Sequence, residues 1–302
     1  MKRFILLFLG IYSCVLSKVN AQQEPQFTQY MYNMFVINPA YAGSNNALTA
    51  VGFYRSQWNN VPGAPRTISF TMDKPLTNEK IGVGFSAYSD QIGPSKELFA
   101  SLSASYSIQT SENSELAFGL RAGIHNLEVN FNQANYDPED LIENFSKFAP
   151  TIGFGAFWYS YNWYVGASVP NILKTNYLDA VLNSKASKEQ HYYLTAGYIF
   201  QINDNIKFKP ATLIKAVAGA PLSFDISANF MFNDKMTIGT AYRLDESIAF
   251  LSSFQITDQL NLGYAFDYNI NSISEISEYS HEFMLKYEFN FYRTRSYSPR
   301  FF

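Results

Sequence analysis

Residues 281–291, HEFMLKYEFNF, keep a two-residue period. Phe283, Leu285, Tyr287, Phe289 and Phe291 are large and apolar, and Glu282, Lys286, Glu288 and Asn290 stand between them. Successive side chains of a strand point to opposite faces, so this is an extended segment with one apolar face and one polar face. Such a strand has two homes. A soluble sandwich hides the apolar face, whereas a membrane barrel turns it to lipid.

The pattern recurs. Ile81, Val83, Phe85 and Ala87 alternate with Gly82, Gly84, Ser86 and Tyr88. Leu98, Ala100, Leu102, Ala104, Tyr106 and Ile108 alternate with Phe99 and Ser101, Ser103, Ser105 and Ser107. Fourteen such stretches run from 47–55 to 281–291, most of them near the 9–11 residues that a tilted strand needs to cross a bilayer. Bacterial single-chain barrels have an even strand number. The second face is mostly Gly, Ser, Thr and Ala. Charged residues make up 16% of the chain, against a usual value of about 25%. A wet outer face would carry more charge, while an enclosed lumen of small and polar groups would not. The 27 Phe and 22 Tyr suit aromatic girdles at two water–lipid interfaces. The expected fold is therefore all-β: a transmembrane antiparallel up-and-down barrel of about 14 strands over 47–291.

Loop lengths agree. If the first strand runs outward, the connections at 127–147, 170–190 and 269–280 fall on one side together with 56–66 and 89–97, and most turns on the other side are short and polar. Long loops on one side and short turns on the other are the outer-membrane pattern.

Lys2 and Arg3, the apolar run from Phe4 to Leu16, and Val19-Asn20-Ala21 read as a signal peptide over 1–21, cut after Ala21. That run is too short to span a bilayer as a helix. The single cysteine, Cys14, lies within it, so no disulfide is expected in the mature chain. The net charge of −3 gives no reason to expect nucleic acid.

Residues 22–46 do not alternate. Asn38-Pro39 interrupts any regular element and Gly43 permits a turn. A polar, aromatic segment ahead of a wide barrel is a candidate plug, cap or periplasmic arm. Here the chain also resembles a known family. Gln26, Phe27, Thr28, Gln29, Tyr30 and Met31, then Asn33, then Asn38, Pro39, Ala40, Tyr41, Ala42 and Gly43 are similar to the opening of the PorP/SprF family of outer-membrane proteins. The likeness continues through Arg55, Gln57, Trp58, Gly63, Ala64 and Pro65. The resemblance implies a non-enzymatic component of type IX secretion or gliding motility, without a cofactor. The implied partners are the machinery and a secreted surface protein, such as an adhesin, with a type IX C-terminal domain. Gln26, Phe27, Gln29, Tyr30, Asn33, Asn38, Pro39, Ala40, Gly43, Arg55 and Trp58 are the candidate partner-binding or plug residues.

Other readings compete. An NPA tripeptide also occurs in the hatch of FadL-type fatty-acid transporter barrels, so passive uptake of hydrophobic molecules is the rival function. It requires an apolar lumenal pocket and a lateral opening, and Tyr88, Phe99 and Phe157 are its few inward aromatics. His125, His191 and His281 map to outer strand ends with no Cys or paired carboxylates at ligand spacing, which favours rim residues over a metal or catalytic centre. The glycines of 82–85 and 153–157 alternate along strands and make no phosphate loop. Arg121, Asp225, Arg243, Asp267, Glu282, Lys286 and Glu288 share inward parity. One reading is an ion-selective lining; the favoured one is that they pair with one another or with the N-terminal segment, because an unpaired buried charge is costly. The tail 292–302 ends in Phe302, a candidate assembly signal or a solubilising extension.

Overall fold

The computed structural model describes residues 24–45, 47–76, 80–130, 144–176 and 187–289. The expected signal peptide, Phe291 and the tail at 292–302 lie outside the described residues, as do parts of the connections at 127–147 and 170–190.

Fourteen antiparallel strands close into one barrel. In chain order they are β1 Leu48–Ser56, β2 Arg66–Pro75, β3 Ile81–Ile92, β4 Ser95–Ser111, β5 Ser114–Val129, β6 Phe145–Ser160 and β7 Trp163–Val169. The second half is β8 His191–Tyr198, resumed as Phe200–Asn203, then β9 Ile206–Val217, β10 Ser223–Phe232, β11 Met236–Arg243, β12 Ser247–Gln255, β13 Leu260–Asn269 and β14 Tyr279–Phe289. The break in β8 falls at Ile199, whose N–H bonds the Asn162 carbonyl. Closure is by β1 against β14, from Leu48 opposite Phe289 to Ser56 opposite His281. No edge remains at that seam.

Orientation follows the alternation. Leu102, Leu120, Phe250 and Phe283 are half or more exposed on the outer wall, while Ser101, Ser103, Arg121, Leu251 and Glu282 on the same strands are buried inside. Side chains that would destabilise a soluble surface are the ones that stabilise a lipid-facing belt.

Three features depart from the sequence reading. The connection expected at 89–97 is strand: β3 runs to Ile92 and β4 starts at Ser95, leaving Gly93, at φ +55°, and Pro94 as the turn. Its polar residues are inward partners, with Thr67 Oγ1 donating to Asp90 at 2.6 Å and Tyr88 donating to Glu97 at 2.8 Å. The 127–147 loop is also trimmed by strand at both ends, to 130–144. Finally, the interior is not only small and polar. Val51, Phe53, Phe157, Leu213, Leu251 and Met284 point inward and share a core with residues 27–42. That segment supplies the apolar surface that makes inward hydrophobes favourable.

The rim has a step. β4, β5 and β6 are 17, 16 and 16 residues long, but β7 has only 7. β6 pairs with β7 only from Phe154 opposite Val169 to Tyr159 opposite Tyr164.

Candidate functional site

Residues 24–45 lie inside the barrel and run from its long-loop end to its short-turn end. Glu24 donates its backbone N–H to His191 Nε2, at the first residue of β8. Gln26 donates to Asp225 at 3.2 Å and accepts from Lys215, both near the same end. At the far end the Gly43 N–H meets Asp73 Oδ2 at 2.8 Å, and Asn45 donates to Thr49 at the start of β1. The first described residues thus stand at the loop end, opposite to an arm reaching out of the turn end.

Between these ends the segment makes three 3-10 turns, Tyr30–Tyr32, Met34–Val36 and Pro39–Tyr41. The last is set by its own residues: Asn38 Oδ1 accepts from the Ala40 N–H at 2.9 Å and Pro39 occupies the first turn position. Both are favourable starts. Gly43, at φ +66°, then turns the chain toward β1. Short turns leave many backbone groups unbonded within the segment, and the strands satisfy them. Arg121 donates to the Phe35 carbonyl at 2.6 Å and the Val36 carbonyl at 3.0 Å. Ser168 serves the Ile37 carbonyl and Ser105 the Ala42 carbonyl. Asn33 donates to Thr71, Tyr32 to Asn229, and Asn38 to the Ala156 carbonyl. Tyr30 and Tyr32 are both buried in this packing.

A charged knot centres on Arg55. Its Nη2 meets Asp267 Oδ2 at 2.6 Å and its Nη1 meets Glu282 Oε2 at 3.0 Å and Thr28 Oγ1 at 2.8 Å. Thr28 Oγ1 donates onward to Asp267 at 2.7 Å. Glu282 also accepts the backbone N–H groups of Thr28 and Gln29 at 2.9 and 2.8 Å. Two carboxylates and one guanidinium are buried together, and the N-terminal segment supplies the remaining donors. A buried ion pair needs such additional hydrogen bonds to offset its desolvation. Elsewhere, Arg243 pairs with Asp225 at 2.9 Å and Lys286 with Glu288 at 3.3 Å. The inward charges therefore pair as expected, with one another and with the segment.

Glycines make the fit possible. A β-carbon on Gly119 would stand 2.3 Å from the Ala40 nitrogen, on Gly82 2.0 Å from the Ala42 oxygen, and on Gly155 2.0 Å from Asn38 Oδ1. On Gly84 it would stand 2.4 Å from the Phe35 ring. These sockets were missed in the sequence. Their signal was there: glycines at inward parity on the nearby strands β3, β5 and β6.

Of the candidate residues, Gln26, Phe27, Gln29, Tyr30, Asn33, Asn38, Pro39, Ala40, Gly43 and Arg55 come together in this interior. Phe27 packs against Phe53, with the rings tilted and their centroids 5.1 Å apart. Trp58 does not join them. It lies in the 57–65 connection at φ +48°, its N–H on Ser280 Oγ at 3.1 Å. The three histidines stand apart: His125 on Glu97, His191 on Glu24, and His281 on Tyr264. No cluster able to hold a metal occurs among the described residues. A cavity of about 30 Å³ lies near the loop end beside Phe27, Ile37, Tyr88, Phe99, Arg121 and Tyr193. That is room for about two waters.

A closed fourteen-strand sheet with its hydrophobes turned outward and its charges paired inside is a transmembrane β-barrel of the outer-membrane type. Over residues 19–287 the chain matches the family described as type IX secretion system membrane protein PorP/SprF, and it belongs to that family. It is accordingly an outer-membrane component of type IX secretion. No curated protein matches it significantly in sequence. Among solved structures, the monoaromatic hydrocarbon channel CymD is similar at a TM-score of 0.53 and 12% identity, covering 89% of this chain and 94% of that one. A Pseudomonas aeruginosa FadL homologue matches at 0.48 and 12%, covering 92% and 96%, and Acinetobacter baumannii Omp33 at 0.49 and 9%, covering 81% and 98%. At these identities the CymD likeness speaks to fold alone.

Proposed function

We propose that this protein is a non-enzymatic holder in the outer membrane. It binds a secreted surface protein that carries a type IX C-terminal domain, and supports that protein's export or attachment through the rim and loops rather than through the lumen. The single observation that carries this reading is the occupancy of the interior. Residues 27–42 are hydrogen-bonded to strands on all sides, from β1 and β2 through β4–β7 to β10 and β14. Ten buried hydrophobes of the segment sit in the same core as the wall. A polypeptide in transit would have to displace all of them. Family membership supplies the machinery, and the occupied interior argues for work at the surface.

The test is a clean gene deletion in the native host. Loss of one or more type IX cargo proteins from the cell surface, restored by the wild-type gene, is the expected result. Normal surface cargo in the deletion strain would overturn the reading. Uptake of hydrophobic molecules is the competing function. It gains from the shared fold with a hydrocarbon channel, but the packing of residues 27–42 into the same core as the wall weighs against it. Saturable binding of a labelled long-chain fatty acid by the purified barrel would favour uptake instead.

A further inference from the structure

The step in the rim leaves one stretch of backbone in an unusual position. β6 continues toward the loop end beyond its last pairing with β7, at Phe154. The chain leaves β7 at Pro170, passes over Gly153 and bonds once more to β6, Ile172 N–H to the Ile152 carbonyl at 2.7 Å. Among the described residues no strand pairs with that side of β6 above Ile152. β5 covers the other side completely, from Val129 opposite Phe145 to Ser114 opposite Ser160.

Which backbone groups point off this edge follows from alternation. The Ile152 carbonyl faces the β7 side, so Ser146, Phe148 and Pro150 face it too, while the residues between them bond β5. Pro150 confirms the parity, because a residue without an N–H fits only where β5 asks nothing of it. The edge therefore offers the N–H and C=O of Ser146, the N–H and C=O of Phe148, and the C=O of Pro150. All three residues are exposed, Phe148 by 69%.

We infer that residues 146–150 of β6 are a strand-addition site for an extended segment of the secreted partner. This rests on the reading of the protein as a holder of such a partner. The complement of alternating donors and acceptors about 7 Å apart is another polypeptide backbone in extended form. A lipid headgroup cannot supply that repeat, and acyl chains cannot supply it at all. An added strand would continue the column of hydrogen bonds that β7 makes lower on the same edge. Pro150, lacking a donor, sets the register, since the residue facing it must not need one.

The test uses proline substitutions in the full-length protein in its native host. Ser146→Pro and Phe148→Pro each remove an edge donor without touching the β5 ladder. Ser146→Ala and Phe148→Ala control for the side chains. The expected result is surface cargo lowered about tenfold in the proline variants, near wild type in the alanine variants, with heat-modifiable barrel in all four. Undiminished cargo in both proline variants overturns the site. If the deletion strain itself keeps its cargo, the functional reading falls; if only the proline variants keep it, the site alone falls. Hydrogen exchange on the wild-type protein covers the case in which a variant does not fold. The Ser146 and Phe148 amides should exchange quickly in the isolated barrel and at least about tenfold more slowly in complex with its cargo. Protection already present in the isolated barrel would mean the chain itself, or a second copy, covers the edge, and would refute the proposal.

Discussion

Arg55 and Glu282 stand directly opposite each other across the seam that closes the barrel, with guanidinium and carboxylate 3.0 Å apart. One pair thus joins the first strand to the last and anchors the segment that fills the interior, since Glu282 also holds the Thr28 and Gln29 amides. Removing one member of a buried pair costs about 3–5 kcal/mol because the other is left uncompensated. Glu282→Gln and Arg55→Met should each lower the temperature at which the folded band is lost on gels. Arg55→Met should do so further, because Asp267 and Glu282 then face each other without a cation. The double variant should lose less than the sum of the two. Strict additivity would show that the two residues are not coupled.

The glycine sockets can be filled. Gly119→Val places methyl groups where the Ala40 backbone lies, so the N-terminal segment should be pushed out of its seat while the strand remains. Single-channel recording in planar bilayers is the measurement: low, rare openings for the wild type and a persistent rise in conductance for the variant. Gly52→Ala is the matched control, because a β-carbon there faces outward with nothing nearer than 3.8 Å. Equal conductance in Gly119→Val and wild type would contradict the tight packing at Ala40.

The direction of the N-terminal segment has a cellular consequence. Glu24 is at the loop end, beside His191. An epitope inserted immediately ahead of Glu24 should react with antibody on intact cells. One placed in the 112–113 turn, at the other end of the barrel, should react only after permeabilisation. The reverse pattern would mean that the segment enters from the turn end.

Much of this was readable from residue order. Phe283, Leu285 and Phe289 announced an outer wall by period alone, and Glu282 and Lys286 an inner one, because side-chain direction in a strand depends only on parity. Parity also placed Arg121, Asp225, Arg243 and Asp267 inside, and the cost of unpaired buried charge required partners for them. Other features were hidden. The polar residues of 89–97 looked like a loop, since polarity on a short stretch does not distinguish solvent from lumen. Nor did parity say why Met284 and Leu251 should face inward, which follows only from their packing against residues 27–42.

Local alternation and composition thus suffice for a lipid-facing barrel and its strand number, while the family shows as a resemblance in particular opening residues such as Asn38, Pro39 and Gly43. These properties are written in nearest neighbours, and lipid and lumen sort them without reference to distant contacts. Which carboxylate meets Arg55, which glycine receives Ala40, and the direction in which the N-terminal segment runs are set by contacts between residues far apart in the chain, such as Arg55 and Glu282, 227 positions apart. Strand tilt and register bring those groups together only once the sheet has closed.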